Sequence, residues 1–171
     1  SGLNTKNTMK PDFNWSCSKI NEIKEKYNLK KYIVLFPFCS PHLTSKKWPY
    51  YNELINLIKE KFKDEYKILV APGPLEIDEA KSINAISILN DENVLGISQL
   101  SSLIKDSNFI IANDTGPAHM AAHLGSNGLT LFGSHTTAYK VSIEREHFKA
   151  IQVNELAKLS VEKVLEKINL N

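Results

Sequence analysis

The chain has 171 residues, which corresponds to about one domain at ~150 residues per domain and leaves little room for a two-domain enzyme. Hydrophobic residues make up 42% and charged residues 23%, a globular composition that argues against disordered, collagen-like and coiled-coil proteins. The 21 Lys and Arg nearly balance the 19 Asp and Glu, and Arg145 is the only arginine, so a nucleic-acid partner is not expected.

The cysteines and the hydropathy pattern bear on where the protein works. Cys17 and Cys39 can form at most one bridge, and the absence of a Cys-x-x-Cys pair argues against a zinc or redox centre. Residues 1–13 lack the apolar core of a signal peptide, and no apolar run reaches the ~18 residues of a membrane-spanning helix. We expect a cytoplasmic protein without a transmembrane segment, which at most lies against the inner face of the membrane.

Helix-like and strand-like patterns alternate along the chain. Residues 1–14 lack periodicity and predict an arm or linker, and Ser16 is a candidate N-cap for a short helix that includes Ile20, Ile23 and Tyr27. The apolar run Tyr32–Phe36 then has the pattern of a strand buried on both faces. The segments that follow are helix 49–62, strand 66–71, helix 77–86, a short strand at 86–89 or 94–95, helix 100–105, strand 109–112, helix 117–124, strand 129–132 and helix 161–168.

This alternation, repeated about five times, predicts a doubly wound parallel α/β sheet with right-handed crossovers. Ligands of such sheets bind at the carboxyl ends of the strands. The loops that follow strands are therefore the candidate functional segments.

The most informative loop runs from Asp114 to His119. Asp114 or Thr115 can cap the next helix, Gly116 lets a ligand approach the backbone, and Pro117 stands where a missing N–H costs nothing. Backbone N–H groups at the mouth of that helix can bind phosphate oxygens beside the imidazole of His119. The loop predicts an anion site that also contains a carboxylate and a hydroxyl.

Two other loops contain charged residues with two interpretations each. Lys46 and Lys47 precede a helix that begins near Pro49, where they either face an anion at the positive helix end or are solvated beside a packed Trp48. Glu76 follows the strand 66–71, where a carboxylate can accept hydrogen bonds from both hydroxyls of a ribose or can simply favour the helix dipole.

Other site classes are disfavoured by missing motifs. His119 and His123 have a metal-ligand spacing, but no glutamate follows His119 as a zinc-protease helix requires, so we expect no metal site. The chain contains no Walker loop, Gly-x-Gly-x-x-Gly or Gly-x-Ser-x-Gly, which makes P-loop kinases, NAD enzymes and hydrolase triads poor first choices.

Six segments of the chain form a recognisable series. They are Phe36-Pro37 through Ser40, Lys46-Lys47-Trp48-Pro49, Gly73-Pro74-Leu75-Glu76, Gly96-Ile97-Ser98-Gln99-Leu100, Asn113-Asp114-Thr115-Gly116-Pro117-Ala118-His119 with the alanines after it, and Leu131-Phe132-Gly133. Over residues 30–140 the series resembles, in order and spacing, the C-terminal half of family-9 glycosyltransferases, which include the ADP-heptose:lipopolysaccharide heptosyltransferases. The chain departs from the family at Phe38, where glycine is usual, and at Ser134, where proline is usual.

The resemblance implies a GT-B type enzyme of two Rossmann-like domains, of which this chain is the C-terminal, donor-binding one. It implies that Ser40 and Lys46 approach the donor phosphates and that Glu76 holds the ribose. Asp114 would lie near the donor sugar, and His119 would help the helix mouth to receive the diphosphate. The complete implied donor-binding set is Ser40, Lys46, Glu76, Asp114, Thr115, Gly116, Pro117 and His119.

The implied reaction is inverting transfer of a sugar, heptose from ADP-heptose by resemblance, to a lipopolysaccharide-type acceptor, with no cofactor besides this donor substrate. Residues 1–30 would form an arm and linker helix, 31–154 the nucleotide-sugar-binding domain and 155–171 a C-terminal helix. The general base and the site for a glycan or lipid-linked glycan belong to an N-terminal domain that is absent from this sequence, so no catalytic residue is assigned. We expect this chain alone to bind donor without turnover.

Two alternatives remain open from the sequence. The chain could be a non-catalytic nucleotide-sugar-binding module, or half of a sugar-nucleotide epimerase, because that class of enzyme shares the two-domain architecture.

Overall fold

The computed structural model describes residues 10–40 and 42–170. The six strands found among these residues are β1 (Tyr32–Phe36), β2 (Lys67–Val70), β3 (Ile86–Ser87), β4 (Phe109–Asn113), β5 (Gly128–Phe132) and β6 (Phe148–Gln152). They form one sheet in the order β3-β2-β1-β4-β5-β6, and every neighbouring pair is parallel. The predicted doubly wound, Rossmann-like sheet is therefore confirmed.

Helices connect these strands. They are α1 (Asn21–Lys26), α2 (Tyr51–Phe62), α3 (Ile77–Ala80), α4 (Ile97–Lys105), α5 (Gly116–Leu124) and α6 (Val161–Leu165), with 3-10 turns at Asn14–Ser16, Thr44–Lys46 and Leu156–Lys158. No helix of the described residues combines the length and the apolar character needed to cross a bilayer.

Apolar side chains cover both faces of the sheet because β1 and the first four positions of β4 are apolar. All five residues of β1 are buried, and its side chains alternate between the two faces. Val34 and its partner Ile110 pack in the layer that includes α4 and α5, whereas Leu35 and Ile111 pack in the layer that includes α2 and α6. The continuous apolar runs of the sequence therefore build two cores, one on each face of the sheet.

Two predicted helix boundaries are wrong by four residues or more, and local hydrogen bonds explain both; α4 begins three residues earlier and α6 ends three residues earlier than predicted. The Ser16 hydroxyl does not cap a helix but lies within hydrogen-bond distance of Phe13 O (2.8 Å) and Ser101 Oγ (2.7 Å), and α1 begins only at Asn21. The helix predicted to run to residue 86 ends at residue 80. There the side chain of Asn52 donates to Ser82 O and accepts from the backbone N–H of residue 84, so α2 holds this segment in an irregular conformation.

The sequence prediction missed β6. This strand lies at the edge of the sheet and pairs only with β5, and Phe148 is its single buried residue. An edge strand needs no continuous apolar run because one of its sides faces solvent. Most of the predicted N-terminal arm lies outside the described residues.

The strand order places the loops after β1 and β4 side by side. From β1 the chain proceeds outward to β2 and β3, then returns to the other side of β1 as β4. Such a reversal opens a crevice at the carboxyl ends of the two central strands. The segments that follow Phe36 and Asn113 therefore meet at this crevice.

Candidate functional site

A buried asparagine joins the two loops at the crevice. Asn113 is fully buried, and its Nδ2 donates to Pro37 O at 2.7 Å. Its Oδ1 accepts from the backbone N–H of Trp48 (3.3 Å) and from the hydroxyl of Tyr51 (3.2 Å). Sequence analysis assigned Asn113 no role of its own, although an amide at the end of an apolar strand is a signal that something nearby needs a polar partner.

Next along the chain, Asp114 is the centre of a charged cluster. Its side chain is 6% exposed and lies 2.8 Å from Lys46 Nζ and 3.0 Å from His135 Nε2, both measured to Oδ2. The other oxygen, Oδ1, is 3.5 Å from His119 Nε2. Lys46 belongs to the loop after β1 and His135 to the loop after β5, so three separate segments converge on one carboxylate.

The cluster keeps Asp114 ionised. Burial alone would raise the pKa of the Asp114 carboxyl. The hydrogen bonds of His119, Lys46 and His135, together with the positive charge of Lys46, outweigh burial and hold this pKa well below its usual range. Asp114 is therefore an anion at any physiological pH, and Lys46 is the cation that compensates it.

The start of α5 lies next to this cluster. Thr115 occupies the N-cap position with an extended backbone, but its hydroxyl donates to Asn113 O (3.3 Å) and does not cap the helix. Gly116 and Pro117 follow as the first helical residues. A Cβ built at Gly116 would meet no atom within 4 Å, so the space beside Gly116 in the first turn of α5 is open.

A cavity of about 280 Å³ adjoins the start of α5. Thr115 and Pro117 form one part of its lining, and Glu76 forms another. The carboxylate Oε2 of Glu76 accepts a hydrogen bond from Gly73 N–H at 2.7 Å, which holds the side chain against the turn that follows β2. Most of the remaining lining is apolar and comes from Phe36, Phe38, Ala71, Pro72, Pro74, Val94, Leu95 and Leu100.

Two residues of the β1 loop lie outside the Asp114 cluster. Ser40 is exposed and lines a neighbouring cavity of about 210 Å³ that also includes Gly73 and Glu76. Lys47 forms an ion pair with Glu79. The structure thus brings Lys46, Asp114 and His119 together and places Ser40, Glu76, Thr115 and Pro117 around the two adjoining cavities, with Gly116 in the first turn of α5.

His135 is a site residue that sequence analysis did not identify. Its ring stacks on Phe132 with a centroid distance of 5.9 Å and an interplanar angle of 16°. The segment Leu131-Phe132-Gly133 belongs to the series that resembles the family, but nothing in the sequence singles out the residue two positions after Gly133. By contrast, His123 lies away from Asp114, where its Nδ1 is 3.2 Å from a guanidinium nitrogen of Arg145.

Comparison with known proteins identifies the family. The model of glycosyltransferase family 9, the heptosyltransferases, matches residues 2–168. The chain belongs to glycosyltransferase family 9. Its Rossmann-like sheet and the Asp114 segment are thus those of a family-9 chain, and family membership favours the glycosyltransferase interpretation over the epimerase one.

Proteins similar to this family-9 chain include heptosyltransferases and a family-9 structure, and also solved UDP-GlcNAc 2-epimerases. Lipopolysaccharide heptosyltransferase 1 of Campylobacter coli is 31% identical over 101 residues, which is 54% of this chain and 29% of that protein. The crystal structure of the family-9 glycosyltransferase of Veillonella parvula matches with a TM-score of 0.71 at 17% identity, over 92% of this chain and 51% of that one. The E. coli heptosyltransferase WaaC, solved with ADP, matches with a TM-score of 0.67 at 20% identity, over 82% and 45%. The chain spans about half the length of these solved structures.

Proposed function

We propose that this chain is the donor-binding part of an inverting glycosyltransferase that transfers heptose from ADP-heptose to a lipopolysaccharide-type acceptor in the cytoplasm. The observation that carries the proposal is the position of the Lys46–Asp114 pair at the mouth of α5, beside the cavity that contains Glu76. Family membership and a solved relative that contains ADP support the choice of nucleotide.

The diphosphate would lie in front of α5. The N-terminus of a helix carries partial positive charge and unsatisfied N–H groups, both of which favour a phosphate. Gly116 leaves the approach open, and Lys46, with a side chain 21% exposed, can turn its ammonium toward the phosphate oxygens. His119, with a side chain 37% exposed and Nε2 3.5 Å from Asp114 Oδ1, would lie within reach of the same phosphates.

The nucleoside would occupy the adjoining cavity. Its apolar lining suits the faces of a base, and Glu76 supplies a carboxylate at its edge. A carboxylate has two oxygens, of which Oε2 is held by Gly73 N–H, so the group is oriented before a ribose arrives. The ribose would then lie between the base and the diphosphate, as the chemistry of a nucleotide demands.

The proposed reaction moves charge toward the groups at α5. An acceptor hydroxyl attacks the anomeric carbon of the sugar while the bond from that carbon to the diphosphate breaks. The negative charge that develops on the departing diphosphate would be stabilised by Lys46 and by the N-terminus of α5. We propose that the general base and the acceptor site belong to the other half of the enzyme, since this chain spans about half the length of its solved relatives.

A calorimetric titration of this chain with ADP, UDP and GDP tests the proposal. We expect ADP to bind and the other two nucleotides to bind at least about tenfold more weakly, a difference of ~1.4 kcal/mol. Equal binding of all three would contradict the choice of donor. A preference for UDP would favour the epimerase interpretation, and failure of all three to bind would contradict donor binding by this chain.

A further inference from the structure

Lys46 and His135 share one oxygen of Asp114. Lys46 Nζ lies 2.8 Å and His135 Nε2 3.0 Å from the same Oδ2 atom. The two side chains differ in their freedom, because Lys46 is 21% exposed on a loop and His135 is 13% exposed and stacked on Phe132. Lys46 can therefore leave Asp114 for another anion more easily than His135 can.

The surroundings of His135 select one tautomer. Its Nδ1 is buried and has no hydrogen-bond partner within residues 10–40 and 42–170. A proton on Nδ1 would bury an unpaired N–H group and, in the neutral ring, would leave Nε2 without a hydrogen to donate to Asp114. The neutral ring with its hydrogen on Nε2 avoids both costs. In that tautomer, His135 donates to the carboxylate through Nε2.

We infer that His135 is a positioning residue that keeps Asp114 hydrogen-bonded while Lys46 turns to the donor diphosphate. A buried carboxylate that loses its donors is strongly destabilised, so Asp114 holds Lys46 back unless another donor stays in place. His135 meets this need because its ring is stacked on Phe132 and its Nε2 stays beside Oδ2 of Asp114. The release of Lys46 toward the diphosphate, the second step of this inference, rests on the proposed function, whereas the tautomer of His135 does not.

The tautomer is measured directly by nitrogen NMR of the imidazole rings in the free, isotope-labelled chain at pH 7.5. We expect His135 to show a protonated Nε2 and an unprotonated Nδ1, with the signal assigned by its loss in His135→Gln. A ring protonated on Nδ1, or one that averages between tautomers, overturns the inference. Because no nucleotide is added, this result is independent of whether the chain binds ADP.

The second measurement is the affinity of the chain for ADP, which is determined by NMR titration up to millimolar ADP. His135→Phe removes the donor and should weaken binding about tenfold, the size expected for one hydrogen bond to a charged group. His135→Gln keeps an N–H near the position of Nε2 and should stay within about threefold of the wild type. His147→Gln is the matched control, because His147 is 58% exposed and precedes β6, at the amino ends of the parallel strands, whereas the site lies at their carboxyl ends.

The Lys46→Ala background separates positioning from a general loss of structure. If His135 acts by releasing Lys46, His135→Phe should weaken ADP binding no further once Lys46 is removed. A loss of similar size in both backgrounds, or no loss in the wild-type background, overturns the inference. If the wild-type chain binds no ADP, the proposed function and the second step fail together, and the NMR result alone decides whether His135 is a fixed donor to Asp114.

Discussion

Lys46 and Asp114 are 68 residues apart in the chain, yet their side chains meet at 2.8 Å where the loop after β1 reaches the end of β4. The contact exists because the chain returns from β3 to the centre of the sheet and lays β4 beside β1. A cation and an anion from the two halves of the sheet therefore form one site.

Replacement of Lys46 by alanine tests whether this cation serves a ligand. We expect Lys46→Ala to weaken ADP binding about 10- to 100-fold, because hydrogen bonds to charged groups contribute ~1.5–3 kcal/mol. Isothermal titration calorimetry measures the change. The control is Lys47→Ala, since Lys47 pairs with Glu79 and not with Asp114. An equal loss in both variants would mean that general positive charge, and not the position of Lys46, binds ADP.

Asp114 should make folding stability depend on pH in the acid range. Its pKa is lower in the folded chain than the ~3.9 of an unfolded chain, so its contribution is complete above that value and disappears as pH falls through the folded pKa. At pH 7 we expect Asp114→Asn to lower the free energy of unfolding by ~1–3 kcal/mol. Below about pH 4 the difference from the wild type should shrink.

Urea unfolding of both proteins between pH 3 and pH 7 measures this difference. Asp78→Asn is the control, because the hydrogen bond and charge of Lys81 also lower the pKa of Asp78 but its side chain is 93% exposed. Exposed ion pairs contribute little to stability. A difference for Asp114→Asn that stays constant down to pH 3 would show that the carboxylate does not stabilise the fold through its charge.

Gly116→Ala should separate binding from folding. The added Cβ meets no protein atom within 4 Å, and alanine favours a helix over glycine by roughly 0.5–1 kcal/mol, so stability should be unchanged or higher. The same methyl group would stand at the mouth of α5 and should weaken ADP binding at least about fivefold, the effect of ~1 kcal/mol. Thermal unfolding and calorimetric titration measure the two effects.

Gly128→Ala is the matched control for folding. At Gly128 a Cβ would lie 2.6 Å from Ile110 O and 2.8 Å from the ring of Phe148, so the strands on both sides would have to move. We expect this variant to lose ~1–3 kcal/mol of stability. If Gly116→Ala binds ADP as the wild type does, the diphosphate does not lie in front of α5.

Glu76 should distinguish a ribose from a deoxyribose. A carboxylate that accepts from both ribose hydroxyls loses one of the two hydrogen bonds with 2′-deoxy-ADP, which keeps only the 3′-hydroxyl, so the wild type should prefer ADP by about fivefold or more. In Glu76→Ala the preference should disappear along with part of the affinity. Glu146→Ala, with a carboxylate at the opposite edge of the sheet and 87% exposed, should keep the preference. If Glu76→Ala still prefers ADP over 2′-deoxy-ADP, Glu76 does not bind the ribose.

The central elements of the fold were predictable because their signals are local. The run Tyr32–Phe36 is apolar at every position, and this pattern alone indicates a strand that is covered on both faces. The end of α3 and the strand β6 were not predictable in the same way. The first depends on the side chain of Asn52 in another helix, and the second on pairing with β5 at an edge where only Phe148 needs burial.

The same distinction holds for the site. Asp114, Gly116 and Pro117 stand in a recognisable order at the start of a helix, so sequence analysis could identify the segment. The contact of Lys46 with Asp114 and the arrival of His135 depend on which strands are neighbours in the sheet. Strand order is a property of the whole chain, and no window of sequence contains it.

Because the chain returns from β3 to β4, the residues of the site come from two different halves of the sheet. Lys46 and Glu76 belong to the half that contains β1, β2 and β3, while Asp114 belongs to the half that contains β4, β5 and β6. A ligand that contacts both halves resists their separation, because binding to the closed form alone lowers the population of partly opened states. A bound nucleotide would then hold β1 and β4 together, and states in which the sheet is open between these two strands would be less populated.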